Sequence, residues 1–596
     1  MCGINIIIGD YPDSEVLIQE MMKSTVHRGP DFSAFSIVSE QVFFAGNRLK
    51  ILDLTDASNQ PLWNKEKDAV LAWNGAIYNY QDLRNELLDM GYIFQTNSDS
   101  EVLLYWLRAF GKEGIKKLKG MFAIAFADLR KKETLILRDP SGEKPIYFSN
   151  INNSWFFSSE ARSLKLGPNK SLGINTDQFI PYFYQRHSYP NASFFEGIKQ
   201  LLPGKGMRID LQGNLLEDFS WTHPPFQKLP KNQHTFEELL KDAVLKNFHT
   251  ERRVGTILSG GADSSLIYAL WYEETGEPIP SYTVSFDKSR QSKYSDPSFT
   301  KKLGNKYPTL AHEVVVDLDK VKKNWKAYIE TLDQPVGDSA SFLTWITAKE
   351  AASNVQVLLS GAGADELFGG YNRHLAYQRY LQNTGFWGLL KKSGISKILP
   401  DSPKKMIESI EKDPSSTFIQ MSALQNIPES LLQEFHNWYP KGNSLIKNAL
   451  EWDRSFYLIN DILKIHDNAC MAHGIEGRAP YLDFDLISLS QSLSEQENSS
   501  ILGKTWIKEA LKKRGLGFIA KRKKLGFGLP LKEWMSQEAY LSWVCPPIEK
   551  MSSQWGHLFP QEMRTLSQRP RNAKGRQYLQ IWNLFVLASW LEIQRI

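Results

Sequence analysis

Cysteine is scarce in this sequence: its 596 residues include only three, Cys2, Cys470 and Cys545. Three cysteines cannot form the disulfide framework of a secreted protein, which favours a reducing compartment. No apolar run approaches the ~18 residues needed to cross a bilayer, and the first residues lack the basic and apolar regions of a signal peptide. The sequence therefore predicts a cytoplasmic protein with no membrane partner.

A large excess of one charge is also lacking. The 71 Lys and Arg residues against 66 Asp and Glu leave a net charge of +5, which is too small to indicate a nucleic-acid partner. Hydrophobic residues make up 42% and charged residues 23% of the chain, a composition typical of globular domains with apolar cores. At this length roughly two to four domains are expected.

Glycine and serine are concentrated in one stretch, Leu-Ser-Gly-Gly-Ala-Asp-Ser-Ser at residues 258–265. It follows the apolar residues 254–258, which predict a buried strand, and it precedes an apolar helix pattern from Leu266. A strand, a glycine turn and a helix N-terminus together form an anion site, since successive N–H groups point at the ligand. The glycines permit close approach and the serines add hydroxyl donors: Ser259, Gly260, Gly261, Ser264 and Ser265. An ordinary Gly-Ser turn is the alternative, and the flanking strand and helix favour phosphate binding.

The carboxylate of Asp263 lies inside this stretch. It would repel a phosphate unless a hard cation lay between them, so the loop implies Mg²⁺. No lysine follows the glycines, which separates the loop from the Walker pattern.

Strand-like and helix-like segments alternate after this loop. Residues 281–286, 312–316 and 355–359 predict strands, and the alternation predicts a doubly wound parallel sheet with helices on both faces. The strand at 355–359 is followed by a second Ser-Gly loop, residues 360–371, which contains Asp365. Because ligands lie beyond the carboxyl ends of such strands, we expect Asp263 and Asp365 to hold Mg²⁺ at one edge of the sheet.

The chain begins Met-Cys-Gly-Ile. If Met1 is removed, the free α-amine of Cys2 can act as the base for its own thiol, with a pKa near ~8. Strand-like residues 121–127, 134–137 and 155–158, separated by turns, predict mainly antiparallel sheets with flanking helices.

Five motifs in this first part occur in a fixed order: His-Arg-Gly-Pro-Asp at 27–31, Arg-Leu at 48–49, Asn-Gly at 74–75, Ser-Asp-Ser-Glu at 98–101 and Arg-Asp at 138–139. Together with Cys2 they resemble the class II glutamine amidotransferase domain, an N-terminal-nucleophile hydrolase with an αββα sandwich, over residues 2–208. The resemblance implies that Cys2 attacks the glutamine amide and that Asn74 and Gly75 form the oxyanion hole. It also implies that Arg48 holds the substrate carboxylate and Asp99 its α-ammonium. The family usually has Glu where this chain has Ala76, which makes ammonia-dependent activity a further possibility.

The remainder resembles the asparagine synthetase family, and the loop at 258–265 is similar to that of the ATP pyrophosphatases. The similarity includes residues 467–483, Gly503-Lys504 and residues 524–530. It implies ATP as substrate, with adenine near Leu258 and Val284, with Ser360 and Gly361 along the nucleotide, and with Lys504 neutralising transition-state charge. Ala362 and Asn468 depart from the family, which usually has an acidic residue and Arg there. His27 and Cys470 are interpreted as structural.

We place a linker at residues 209–234, which lack hydrophobic periodicity and contain several prolines. A helix is predicted to open the second domain, residues 235–596, with a capping box from Thr235 to Glu238. A C-terminal helix after Arg571 is interpreted as a packing element.

The favoured function is glutamine- and ATP-dependent amidation of a carboxylate through an acyl adenylate, with aspartate as the default acceptor. Ala362 and Asn468 favour an alternative acceptor, such as a sugar, peptide or secondary-metabolite acid. A β-lactam synthetase-like cyclisation is less favoured because those relatives lack the cysteine at position two. A non-catalytic regulatory or scaffold protein is the alternative from another class. A homodimer is possible.

Overall fold

The computed structural model describes residues 2–223, 230–287, 297–523 and 526–594. Residues 2–223, here called the N-terminal half, contain two six-stranded antiparallel sheets with orders β10-β8-β9-β1-β3-β2 and β12-β11-β7-β6-β5-β4. Their strands are Cys2–Ile8 (β1), Phe32–Ser39 (β2), Val42–Arg48 (β3), Leu62–Trp63 (β4), Ala69–Ile77 (β5), Gly120–Asp128 (β6), Glu133–Arg138 (β7), Tyr147–Ile151 (β8), Ser154–Ser158 (β9), Lys199–Gln200 (β10), Lys205–Asp210 (β11) and Leu215–Ser220 (β12).

The two sheets pack face to face, because alternate residues of each strand are apolar and point into the space between them. Ile4 and Ile6 of β1 share one buried cluster with Val70 of β5 and Ala125 of β6. The outer face of the second sheet packs on helices Tyr80–Asp89 and Asp99–Phe110. The outer face of the first sheet packs on helix Ser14–Ser24. These four layers confirm the predicted αββα sandwich.

Residues 230–287, 297–523 and 526–594, here called the C-terminal half, contain a five-stranded parallel sheet with order β15-β14-β13-β16-β17. The strands are Val254–Ile257 (β13), Pro280–Ser285 (β14), Leu310–Val315 (β15), Val357–Leu359 (β16) and Glu476–Arg478 (β17). One apolar cluster covers one face, with helices Leu318–Thr331 and Ala340–Ala351. Another covers the opposite face, with helices Gln233–Phe248 and Ala262–Thr275. The predicted doubly wound sheet is confirmed.

Further helices surround the two sheet systems. They are Ala161–Leu164, Phe179–Gln185, Pro297–Gly304, Ala364–Phe368, Asn372–Gln382, Thr384–Lys392, Asp401–Glu408, Pro414–Ser422, Glu429–His436, Leu445–Trp452, the π-helix Asp453–Ile462, Leu463–Met471, Phe484–Ser492, Glu495–Ile501, Thr505–Lys513, Gly517–Ala520, Leu531–Trp534, Glu538–Trp555, Gln561–Gln568 and Tyr578–Ile593.

Two predicted boundaries are wrong. Strand β12 pairs with β11, with Lys205 opposite Ser220, so the second sheet continues beyond residue 208 and the linker cannot begin at residue 209. The helix predicted to start at Thr235 begins at Gln233, because the Asn232 side chain accepts a hydrogen bond from the Thr235 N–H and caps it. The short, polar strand β12 resembles a loop in sequence, and its pairing with β11 defines it. The predicted breakers at 224–225, the helix start at Asp296 and the residues 524–525 of a predicted motif lie outside the described residues.

The two halves share one apolar core. Helix Tyr578–Ile593 packs against the N-terminal half, where the Tyr182 hydroxyl donates to the Asn583 carbonyl at 2.8 Å and Phe194 packs on Trp590. This confirms that the C-terminal helix is a packing element. Among the described residues, the helices are all too short or too polar to cross a bilayer.

Candidate active sites

Cys2 lies at the beginning of β1 and lines a cavity of about 560 Å³ that is partly open to solvent. Arg48, Gly75 and Asp99 line the same cavity, so together with Cys2 four of the five residues predicted to bind or convert glutamine meet at one place. Ala76 lines it as well. The fifth, Asn74, accepts a hydrogen bond from the Cys2 N–H through its side-chain oxygen at 3.0 Å. The structure therefore brings all five residues together.

The thiol of Cys2 is buried, and burial raises its pKa, since a thiolate is poorly solvated there. The Gln60 amide donates to the Cys2 sulfur at 3.5 Å. A thiol with a raised pKa needs a base close by, and an α-amine on the same residue would meet that need without a further side chain.

Asn74 and Gly75 provide the features of an oxyanion hole. The Asn74 side-chain NH₂ is buried and has no hydrogen-bond partner among the described residues, although a buried donor normally has one. A Cβ at Gly75 would lie 2.0 Å from the Met121 carbonyl oxygen, so only glycine fits there. A negatively charged oxygen beside Cys2 could accept a hydrogen bond from this unpaired donor.

Asp99 begins the helix Asp99–Phe110 and accepts a hydrogen bond from the Ile77 N–H at 3.2 Å. Burial raises its pKa to about 6, because the carboxylate loses solvation. At neutral pH it therefore remains mainly ionised and can bind an ammonium group.

Arg48 lies across from Cys2 in the pairing of β1 with β3. Its guanidinium donates to the carbonyls of Leu52, Asp53 and Thr55 and to the Asn59 side chain, which fixes the loop beside the cavity. Burial lowers its pKa from a high ordinary value. Within this structure the guanidinium shapes the wall of the cavity through these carbonyls.

Other residues that the sequence did not place in this cavity also line it, among them Gln60, Lys246, His249, Glu476 and Arg478. The last four belong to the C-terminal half. Lys246 lies near the end of helix Gln233–Phe248, His249 follows that helix, and Glu476 and Arg478 are in strand β17. No local pattern predicts such contacts, because they depend on how the two halves are packed. The cavity around Cys2 is thus formed by both halves of the chain.

The two Ser-Gly loops touch each other at the edge of the parallel sheet. A Cβ added at Gly361 in the second loop would lie 2.9 Å from the Asp263 Cβ in the first loop. Lys504 bridges them, since its ammonium lies 2.5 Å from an Asp263 oxygen and 2.8 Å from an Asp365 oxygen. The structure therefore brings the side chains of Asp263, Asp365 and Lys504 together at one place.

Lys504 is buried and its backbone has a φ of 63° at the start of helix Thr505–Lys513. Burial alone would lower its pKa, but the charges of Asp263 and Asp365 outweigh burial and raise it. A Cβ at Gly370 would lie 1.9 Å from the Lys504 side chain and 2.1 Å from an Asp365 oxygen. Glycine at this position leaves the room in which the lysine and carboxylate meet.

These residues fit Mg²⁺ bound together with phosphate. The two carboxylates already share one cationic group, the Lys504 ammonium. Among the described residues, no group of three or more His, Cys, Asp or Glu side chains is placed to hold a metal without other ligands. Mg²⁺ is often held by one or two carboxylates plus substrate phosphates, which this pair could provide.

The other predicted nucleotide residues lie along the same edge. Ser259 is exposed, and the half-buried positions are Gly261, Ser360 and Gly361, whereas Leu258, Gly260, Ser264, Ser265 and Val284 are buried. The Ser265 hydroxyl is fully enclosed, so it lies behind the loop. Arg522, which the sequence did not indicate, donates to the carbonyls of Ser259 and Gly260 and holds the loop in place.

Strand β17 connects the two sites. Its side chains Glu476 and Arg478 line the Cys2 cavity, whereas the Arg478 carbonyl accepts a hydrogen bond from the Ser360 N–H of the second loop. Three residues further on, the Tyr481 hydroxyl donates to the Asp263 carbonyl at 3.3 Å. A single short segment thus contacts both the pocket of Cys2 and the loops at the sheet edge.

A second cavity of about 400 Å³ lies between the halves. Its walls include Arg28 and Glu143 from the N-terminal half and Lys464, Asp467 and Asn468 from the C-terminal half. Burial lowers the pKa of Lys464 to about 8 and raises that of Glu143 to about 8. Lys464 and Glu143 therefore both titrate close to neutral pH.

The two departures noted in the sequence lie close to this region. Ala362 is half-buried and packs against an apolar cluster that contains Leu463, which also lines the second cavity beside Asn468. His27 forms a hydrogen bond of 2.8 Å with Glu160, and Cys470 is fully buried.

Together the fold and sites define an amidotransferase-type chain, in which an αββα sandwich is joined to a doubly wound parallel sheet. A family model described as Asparagine synthase matches residues 235–592, and one described as Glutamine amidotransferase domain matches residues 1–220. The chain belongs to the asparagine synthase family.

Several curated proteins are similar to the chain along its length. Asparagine synthetase [glutamine-hydrolyzing] 1 of Bacillus subtilis is 27% identical over 630 residues, covering 100% of this chain and 97% of that protein. A putative asparagine synthetase [glutamine-hydrolyzing] of Mycobacterium tuberculosis is 28% identical, covering 95% of this chain and 91% of that protein.

Proposed function

We propose that this chain transfers the amide nitrogen of glutamine to a carboxylate that it activates with ATP and Mg²⁺, releasing AMP and pyrophosphate. The observation that carries the proposal is the meeting of Asp263, Asp365 and Lys504 at the sheet edge, in a chain that also encloses Cys2 beside Asn74. The names of the similar proteins support aspartate as the default acceptor and asparagine as the product.

In the first reaction Cys2 attacks the side-chain amide of glutamine. Its α-amine takes the thiol proton and returns a proton to the leaving nitrogen, so ammonia departs and a thioester remains for water to cleave. Asn74 and Gly75 stabilise the oxyanion, for which the unpaired Asn74 NH₂ is placed. Asp99 binds the α-ammonium group of glutamine. Arg48 fixes the loop that faces the α-carboxylate of glutamine.

In the second reaction a carboxylate oxygen of the acceptor attacks the α-phosphorus of ATP, and pyrophosphate leaves. Mg²⁺, when bound, neutralises phosphate charge, and the carboxylates of Asp263 and Asp365 would hold it. Lys504 stabilises the charge that develops on the departing pyrophosphate. Ammonia then attacks the carbonyl carbon of the acyl adenylate, AMP leaves and an amide forms. Activation is needed because AMP is a far better leaving group than the oxygen of a free carboxylate.

Ammonia must pass from Cys2 to the sheet edge without entering bulk water, where it would be mainly protonated. The second cavity between the halves supports such a passage. Lys144 lies beside it, 3.8 Å from Asp467, and donates to the Gly477 carbonyl in strand β17 of the first cavity wall.

An acceptor other than aspartate is the second candidate. The specific observations that favour it are Ala362, which places a methyl group in the second loop, and Asn468, which lines the cavity beside Leu463. Neither side chain carries the charge that the family usually has at these positions. A larger acid, such as one on a sugar or a peptide, would therefore not need to pair with charged side chains at these two positions.

The test uses protein with Met1 removed, supplied with ATP, Mg²⁺, glutamine and a panel of carboxylic acids. The amide is identified by mass spectrometry and pyrophosphate is measured in parallel. Pyrophosphate released only with aspartate supports asparagine synthesis, and release with another acid identifies that acid as acceptor. No pyrophosphate with any acid, and no glutamate from glutamine, would support the non-catalytic alternative.

A further inference from the structure

The cavity around Cys2 has one wall that comes from the C-terminal half. Strand β17 contributes Glu476 and Arg478, and the end of the helix Gln233–Phe248 contributes Lys246. Glutamine is a zwitterion, so a pocket that encloses it must supply an anion for its ammonium group. The charges on this wall therefore affect which amide donors can bind.

Two carboxylates line this cavity among the described residues, Asp99 and Glu476. Position 76 offers none, because Ala76 presents only a methyl group to the same cavity. Asp99 has a pKa of about 6, raised mainly by burial. Burial would also raise the pKa of Glu476, but nearby positive charges outweigh burial and lower the pKa to about 2, first the chain's N-terminal ammonium and then Arg478 and Lys144. Glu476 is thus the carboxylate that stays ionised over the wider pH range.

Glu476 is held firmly in place. The Arg478 Nε donates to its Oε1 at 2.6 Å, and the Arg478 Nη1 donates to the carbonyls of Asn247 and His249 at 2.6 and 3.2 Å. Both side chains are buried. A carboxylate has about four acceptor positions, so the bonds of Glu476 to Arg478 and to the chain's N-terminal ammonium still leave capacity for a further ammonium donor.

The charge of Glu476 acts on both ends of the cavity. After burial, which is the main cause, Glu476 contributes to the raised pKa of Cys2 and to that of Asp99. A negative charge felt at both residues lies within electrostatic reach of a molecule placed between them. A bound ammonium group in this space would be attracted by Glu476 as well as by Asp99.

We propose that Glu476, supplied by the C-terminal half, is the second anionic contact of the glutamine α-ammonium, in the pocket where Ala76 supplies none. Glu476 is then a specificity-determining residue for the amide donor. The inference rests on the proposed function, because it requires glutamine to be the donor. Tight glutamine binding then also requires strand β17 to be packed in its observed position.

The test compares Glu476→Gln with two double variants, Ala76→Glu/Glu476→Gln and Ala76→Gln/Glu476→Gln. Glutamate release gives KM and kcat for glutamine, and pyrophosphate release with ammonium as nitrogen source is measured on the same proteins. We expect Glu476→Gln to raise the KM for glutamine roughly tenfold or more with a smaller change in kcat. Ala76→Glu should restore the KM in the double variant, whereas the uncharged Ala76→Gln should not.

An unchanged KM in Glu476→Gln overturns the inference, and so does a loss that Ala76→Glu and Ala76→Gln repair equally. A parallel loss of glutamine- and ammonium-dependent activity without rescue also overturns it, because that pattern indicates a structural role. If the unaltered protein releases no glutamate from glutamine, the proposed function itself fails. If it does, and Glu476→Gln is unaffected, only this inference fails.

Discussion

The Nη2 atom of Arg28 lies 2.9 Å from the Oδ2 atom of Asp467, although the two residues are 439 positions apart. The Nη1 atom of the same guanidinium lies 3.3 Å from Glu160. All three side chains are almost fully buried. This ion cluster joins the sandwich to the C-terminal half through charges that are almost fully buried.

Arg28→Met should destabilise the protein strongly, because it leaves Glu160 and Asp467 buried without their shared guanidinium. Removing one partner of a buried ion cluster costs about 3–5 kcal/mol. A clear fall in Tm by calorimetry is the expected result. The control is Lys412→Ala, which removes an exposed ion pair with Glu429 whose side chains are 89% and 86% exposed, and its Tm should not change. Equal Tm values for Arg28→Met and the unaltered protein would contradict the importance of the cluster.

Cys2→Ala should abolish amide formation from glutamine and leave amide formation from ammonium. The variant lacks the nucleophile, so glutamine-dependent activity should fall by at least about a thousandfold. The sheet-edge site that contains Asp365 and Lys504 is unaffected, so external ammonium can still react. Product amide is quantified with each nitrogen source. Loss of both activities would show that Cys2 is needed for the fold.

The KM for glutamine should rise as the pH falls from 7 towards 5. Burial raises the pKa of Asp99 to about 6, so the carboxylate is charged above this pH and becomes neutral below it. A neutral Asp99 binds the substrate ammonium less well. Initial rates of glutamate release across this range provide the measurement. Asp99→Asn should show a high KM that no longer follows this transition, and a transition that persists in Asp99→Asn would assign it to another group.

Removing Mg²⁺ with EDTA should stop pyrophosphate release while glutamate release from glutamine continues. The proposed function assigns the two activities to separate sites, and the carboxylates of Asp263 and Asp365 at the sheet edge already share one cationic group, the Lys504 ammonium. Asp365→Asn should lower ATP-dependent turnover by about a hundredfold, equivalent to about 3 kcal/mol. Asp319→Asn alters an exposed carboxylate in helix Leu318–Thr331 and should have no effect. Glutamate release that also stops with EDTA would contradict the separation of the sites.

The strands and both Ser-Gly loops could be predicted because each is encoded by a short run of neighbouring residues. The apolar stretches at 254–258 and 355–359 contain the strands Val254–Ile257 and Val357–Leu359, and each strand is followed by small residues in a turn before a helix. The αββα sandwich was implied by the resemblance, and the packing of Ile4 against Val70 and Ala125 confirms it. These features depend on short windows of sequence.

The C-terminal wall of the glutamine pocket could not be predicted. Lys246, His249, Glu476 and Arg478 lie far from Cys2 in sequence, and only the packing of the two halves places them around it. The start of helix Gln233–Phe248 was missed because Asn232, rather than Thr235, supplies the capping oxygen. Strand β12 was read as linker because only its pairing with β11 reveals it.

The long helix Tyr578–Ile593 packs against residues from early in the chain, with Asn583 hydrogen-bonded to Tyr182 and Trp590 in an edge-to-face contact with Phe194. During synthesis on the ribosome, the N-terminal half emerges several hundred residues before this helix does. Its contact surface around Tyr182 therefore stays uncovered for most of translation. Complete burial of this surface has to wait until helix Tyr578–Ile593 has been synthesised, which couples the final packing of the N-terminal half to a segment far downstream in the chain.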